Sequence, residues 1–127
     1  MDDDTLVGEV AAFSGDQLRS YGELRDMTRR ILSRVVLSHG DISGVLDVFK
    51  RKQALLHEIS ARRAKAKETI ELWQRRKATV RETRDTRELE TTLQAMESTI
   101  KEFLDSEEQL QRYLEHAANK GDEQQNA

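Results

Sequence analysis

Proline and cysteine are both absent, aromatic side chains make up 5% of the 127 residues, and β-branched or aromatic runs are scarce. Without cysteine, disulfide frameworks, thiolate metal sites and cysteine nucleophiles are excluded. The scarcity of β-branched and aromatic runs argues against strands. No apolar run approaches the roughly 20 residues that a membrane-spanning helix needs. The first residues, MDDDTLVGEV, are acidic where a secretory signal would be basic, so a soluble, cytoplasmic protein is expected. What the chain has instead is charge, at 35% of its residues, and an abundance of Leu, Arg, Glu, Lys, Gln and Ala. These are the residues that lose least on entering a helix. The expected fold class is all-α, with a thin core.

The net charge of -3 conceals a block pattern. Residues 1–49 carry nine acids and five bases, residues 50–87 five acids and thirteen bases, and residues 88–127 ten acids and three bases. Blocks of alternating sign on successive helical segments predict an antiparallel pair in which a basic helix lies beside an acidic one.

Apolar spacing places the helices. Leu18, Tyr21, Leu24, Met27, Ile31, Leu32, Val35 and Val36 recur at intervals of three and four and predict a first helix over about 15–38. Ser14 and Gln17 read as a capping box at its start, with Asp16 favoured by the helix dipole. Residues 1–14 show no clear period, although Leu6, Val7, Val10 and Phe13 fit a short helical turn, and a flexible N-terminal segment is expected there. At SHGD, residues 38–41, glycine suits a helix C-terminus and Asp41 suits the next N-cap. A tight corner follows from these.

Beyond the corner a second helix over about 41–80 carries an a/d seam through Ile42, Val45, Phe49, Lys52, Leu56, Ile59, Arg63, Ala66, Ile70, Trp73, Lys77 and Val80. Its three basic members must each snorkel or meet a carboxylate. A third helix over about 86–118 repeats through Leu89, Leu93, Met96, Ile100, Phe103, Glu107, Leu110, Leu114 and Ala117. Its seam is displaced by two residues from a continuation of the second, a shift that neither a stutter nor a stammer produces. A turn near 81–86 is therefore expected, with Asp85 and Glu88 as its capping box. Residues 119–127 are expected to be a disordered tail. The whole reads as an elongated antiparallel three-helix bundle built on a coiled-coil hairpin.

Catalytic patterns are missing. His39, His57 and His116 lie far apart in sequence, and no HExxH, GxSxG, P-loop or dinucleotide fingerprint occurs. An enzyme is not expected, and no cofactor or metal is called for. Arg62, Arg63, Lys65, Lys67, Arg75, Arg76 and Lys77 form a basic cluster that could meet phosphates, but no exposed aromatics are interleaved with them. Charge pairing inside the bundle is the favoured reading, and a nucleic-acid partner is not. More telling are Val48, Leu55, Leu72, Leu104 and Tyr113, which widen the apolar stripe beyond a two-helix interface. Such width either completes a three-helix core or receives a partner, and a homodimer through the same stripe is the alternative. Trp73 is expected in the core.

A helix ending in a short Gly/Asp break, followed by DISGVLDVFKRKQALLHEI, resembles the small flagellar type III export chaperones of the FlgN and FliT kind. Lys52, Gln53, Ala54, Leu55 and Leu56 carry the wording, and the layout extends over residues 15 to about 75. The resemblance implies a cytoplasmic α-helical chaperone without ATPase activity. Such a chaperone shields the amphipathic helical end of a secreted filament or hook-junction subunit. It also implies a client-binding surface in the C-terminal helical region, at Met96, Ile100, Phe103, Leu104, Leu110, Tyr113 and Leu114. The basic middle block departs from the family pattern. A self-associating coiled-coil scaffold remains the second expectation.

Overall fold

The computed structural model describes residues 1–125, with side chains through Lys120. Three helices carry the fold: α1 is Asp3–Leu37, α2 is Leu46–Arg76 and α3 is Arg84–Gln125, with one 3-10 turn, Ser43–Val45, leading into α2. Arg76 at the end of α2 reaches Met1 and Asp3 at the start of α1, while Val45 and Val48 pack on Ile31 and Val35. These two helices are therefore antiparallel. Leu89 meets Leu6, Phe103 meets Tyr21 and Leu110 meets Ile31, so α3 runs parallel to α1 and antiparallel to α2. The all-α, antiparallel three-helix bundle expected from the sequence is the architecture found, with no strand among the described residues.

The N-terminal segment differs from expectation. Residues 3–14 are helical and continuous with the rest of α1. Asp2 caps the helix, its Oδ1 accepting from the Thr5 N–H at 2.7 Å, and that bond holds its carboxyl below the usual carboxylate range. Ser14 and Gln17 are then not a cap but buried residues in mid-helix. The buried face of α1 runs Leu6, Val10, Ser14, Gln17, Tyr21, Leu24, Thr28, Ile31, Val35 at helical spacing. Ser14 and Gln17 separate Leu6, Val7 and Val10 from the apolar run beyond them, and these few positions are too short a stretch to show a period of their own.

The corner is where it was expected. The N–H of Gly40 donates to Val35 O at 2.9 Å and that of His39 to Val36 O at 3.2 Å, the paired bonds of a Schellman motif. Asp41 accepts from the Ser43 N–H at 2.9 Å and so opens the 3-10 turn rather than α2 itself. The second turn lies at 77–83, earlier than expected, because the capping pair is Thr83 and Thr86. Thr83 N–H donates to Thr86 Oγ1 at 2.8 Å, and Thr86 N–H returns a bond to Thr83 Oγ1 at 3.2 Å. Residues 119–125 of the expected tail continue α3, and 126–127 lie outside the described residues.

The core is three apolar clusters strung along the axis. Leu6, Val7 and Val10 hold Trp73 and Leu89 at one end; Tyr21, Leu24, Leu55, Ile59 and Phe103 form the middle; and Ile31, Val35, Val45, Val48 and Leu110 form the corner end. Helix α1 is central to all three. Among the described residues no Cα of α2 comes within 8 Å of a Cα of α3, whereas α1 approaches both that closely.

Candidate functional site

Because α1 is wedged between them, α2 and α3 splay apart and leave a groove of about 580 Å³. Phe13, Gln17 and Tyr21 of α1 form its floor. Met96 and Ile100 of α3 form one wall, and α2 supplies the other from Ser60 to Glu71. The groove opens where side chains are short or polar. Between the first two apolar clusters α1 presents Ser14, Gln17 and Ser20, and α2 presents Ser60 and Ala64, so the walls do not meet. The floor is also incompletely satisfied. Gln17 is 2% exposed; its Nε2 donates to Ile59 O at 3.4 Å, and its Oε1 has no partner. A buried carbonyl left without a donor costs about 1–3 kcal/mol.

The seven residues assigned to client binding divide into two rows on α3. Met96 and Ile100 line the groove, and Leu104, 57% exposed, continues their row at the same four-residue interval. Phe103 faces α1 instead, its ring 6.1 Å from that of Tyr21. Leu110 is buried in the corner cluster, with Tyr113 and Leu114 packed against it. Phe103 and Leu110 are therefore buried against α1, Tyr113 and Leu114 are half-buried beside Leu110, and none of the four lines the groove. A linear repeat cannot separate the rows, since both recur at three and four.

Charge pairing also differs from expectation. The acidic helix serves α1: Glu102 receives Arg25 at 3.1 Å and Arg29 at 3.3 Å, and Glu107 Oε1 accepts from Thr28 Oγ1 at 3.0 Å. Among the described residues Glu107 alone also pairs across to α2, with the buried Lys52. The rest of the basic block turns elsewhere. Arg62 donates to Ser20 Oγ at 2.8 Å and lies 3.6 Å from Glu58, and Arg63 donates to Tyr21 Oη at 2.9 Å. Among the described residues Lys65, Lys67, Arg75 and Lys77 have no carboxylate within 4.0 Å. The wide separation of α2 from α3 is the reason the two blocks do not neutralise each other.

Two features went unread in the sequence. One is the groove itself, whose signal is the small pair Ser60 and Ala64 beside the α2 seam. The other is an apolar knob at the corner, where Val36, Leu37, Ile42 and Leu46 are exposed, Leu37 to 77%. Apolar residues flanking His39-Gly40 on both sides are its trace in the sequence.

Among the described residues, no helix is long and apolar enough to cross a membrane. No family model, curated protein or solved structure matches the chain.

Proposed function

We propose that the protein is a helix-binding chaperone, and specifically an export chaperone that holds the amphipathic helical end of a secreted flagellar subunit of the hook-filament junction type in the cytoplasm. One observation carries the reading: the splayed α2 and α3 leave an apolar groove floored by α1, as a fourth helix would require. A client helix laid there buries its apolar stripe against Phe13, Ile70, Met96 and Ile100, and the flexible Met96 side chain adapts to imperfect matches. Binding then falls to the Met96, Ile100 and Leu104 row rather than to the whole of α3. The resemblance of residues 38–59 to export chaperones supports the choice of client.

The test is photocrosslinking in the protein's own cells, with benzoylphenylalanine at position 64 or 96 and the adducts identified by mass spectrometry. A secreted filament or junction subunit crosslinked from both positions is the expected result. Adducts from neither position, with the protein expressed alongside its secretion substrates, would remove the groove from consideration.

A second reading, a self-associating scaffold, is favoured by the exposed corner residues Val36, Leu37, Ile42 and Leu46. It predicts a dimer in light scattering that Leu37→Lys converts to monomer, with groove substitutions having no effect.

A further inference from the structure

The α2 wall of the groove is cationic. Arg63 and Lys67 stand four residues apart, both exposed and neither within 4.0 Å of a carboxylate among the described residues, and Glu71 is the one acid on the lining. Arg63 is held at the rim by its 2.9 Å bond to Tyr21 Oη, which leaves its other N–H groups to point at an incoming group. Between the two cations the wall is recessed at Ala64. An occupant has to fill that recess with large apolar side chains at helical spacing and bring negative charge to the rim beside it.

A second copy of this chain does not meet both demands. Its helical apolar stripes face the three core clusters, its exposed knob of Val36, Leu37, Ile42 and Leu46 lies across the corner rather than along one helix, and groove-to-groove contact sets one concave face against another without filling either. We infer that the occupant is an amphipathic helix of a different protein, bearing two carboxylates four residues apart along the flank that faces α2. The inference rests on the helix-binding reading above and adds the chemistry of the partner. Carboxylates at that interval lie about 6 Å apart along their helix, the same rise that separates Arg63 from Lys67. Both pairs therefore form together, whichever way the partner helix runs. Arg63 can take its carboxylate with two parallel N–H bonds, and a basic flank at the same place is repelled, which makes the rim selective.

A phage-displayed library of amphipathic helices of about 18 residues, or roughly 27 Å, selected on the full-length protein tests this. Recovered peptides are expected to carry Asp or Glu at two positions four apart beside an apolar stripe. Each should bind the doubly reversed variant, Arg63→Glu with Lys67→Glu, about tenfold more weakly in fluorescence anisotropy, and selection on that variant should return Lys or Arg at the same positions. Both substitutions are exposed, and circular dichroism checks the fold. Ala64→Trp, which fills the recess, should abolish binding of every recovered peptide. Peptides neutral or basic along that flank, or indifferent to the double reversal yet blocked by Ala64→Trp, would overturn the inference and leave helix binding intact. Peptides unaffected by Ala64→Trp, or a selection that returns no helix, would defeat the groove and the proposed function together.

Discussion

Lys52 is the one lysine in the core, at 4% exposure, and Glu107 makes that tenable. The Glu107 carboxylate receives Thr28 of α1 and Lys52 of α2, so a single acid on α3 ties all three helices at one level. Burial pushes the Lys52 ammonium below its ordinary pKa. Glu107→Ala leaves the cation without a counter-charge and is expected to cost about 2–3 kcal/mol in urea denaturation, less than a fully buried pair would, because Glu107 is 35% exposed. Lys52→Met combined with Glu107→Leu should recover most of that loss. The pH dependence has a definite sign. With its folded-state pKa lowered, Lys52 binds its proton more tightly in the unfolded chain, so stability rises with pH between the lowered value and the ordinary lysine value. The deficit of Glu107→Gln should accordingly shrink as urea midpoints are measured from neutral into alkaline solution; a constant deficit would place Lys52 in solvent. At the corner, His39 holds a left-handed φ of 57° where glycine is usual. His39→Gly should raise stability by about 0.5 kcal/mol, the relief of a side chain in that region less the added freedom of the unfolded chain. Gly40→Ala should lower it, since φ there is 95° and the new Cβ would lie 3.1 Å from the Ala117 Cβ.

The first three turns of α1 are structural, and their removal has a clean optical readout. Leu6, Val7 and Val10 are the neighbours of Trp73, the only tryptophan. Deleting residues 1–11 should shift Trp73 emission to the red and cost on the order of 5 kcal/mol, the transfer value of three buried aliphatic side chains. Unchanged emission would mean that the segment is not packed. The start of α3 offers a contrast between two nearby residues. Thr83→Ala removes a reciprocal cap and should cost about 1 kcal/mol. Asp85→Ala should change thermal stability little, since the Asp85 side chain makes no hydrogen bond to the helix start while Thr83 and Thr86 satisfy each other.

With α1 at the centre and a groove between α2 and α3, the two rows on α3 should respond differently to substitution. Phe103→Ala opens the middle cluster and should lower stability by about 3–5 kcal/mol. Met96→Lys on the groove wall should leave the denaturation midpoint nearly unchanged while abolishing the crosslinked partner adduct. A Met96→Lys protein that loses stability as Phe103→Ala does would show that the groove closes in solution. Helix α2 and its C-cap also carry Lys65, Arg75 and Lys77 without acidic partners among the described residues, so binding to an acidic helix should weaken as salt is raised.

Much of this architecture was legible in the chain because amphipathic helices write their period into it. The seam from Val45 to Trp73 alternates at three and four, and the chain breaks at His39-Gly40 and again before Leu89. The N-terminal half of α1 was hidden because Ser14 and Gln17 on its buried face separate Leu6, Val7 and Val10 from the apolar run beyond them. Of the assigned surface, Met96 and Ile100 reach the groove and Phe103 and Leu110 do not, a division that a repeat of three and four leaves undetermined. Helix number, chain direction and the presence of a corner follow from period and local turn chemistry, which are properties of each segment alone. The central place of α1, the separation of the basic from the acidic helix and the groove between them arose in the packing. Those depend on how far apart two backbones can stand once Ser60, Ala64 and Gln17, rather than larger apolar side chains, are what lies between them.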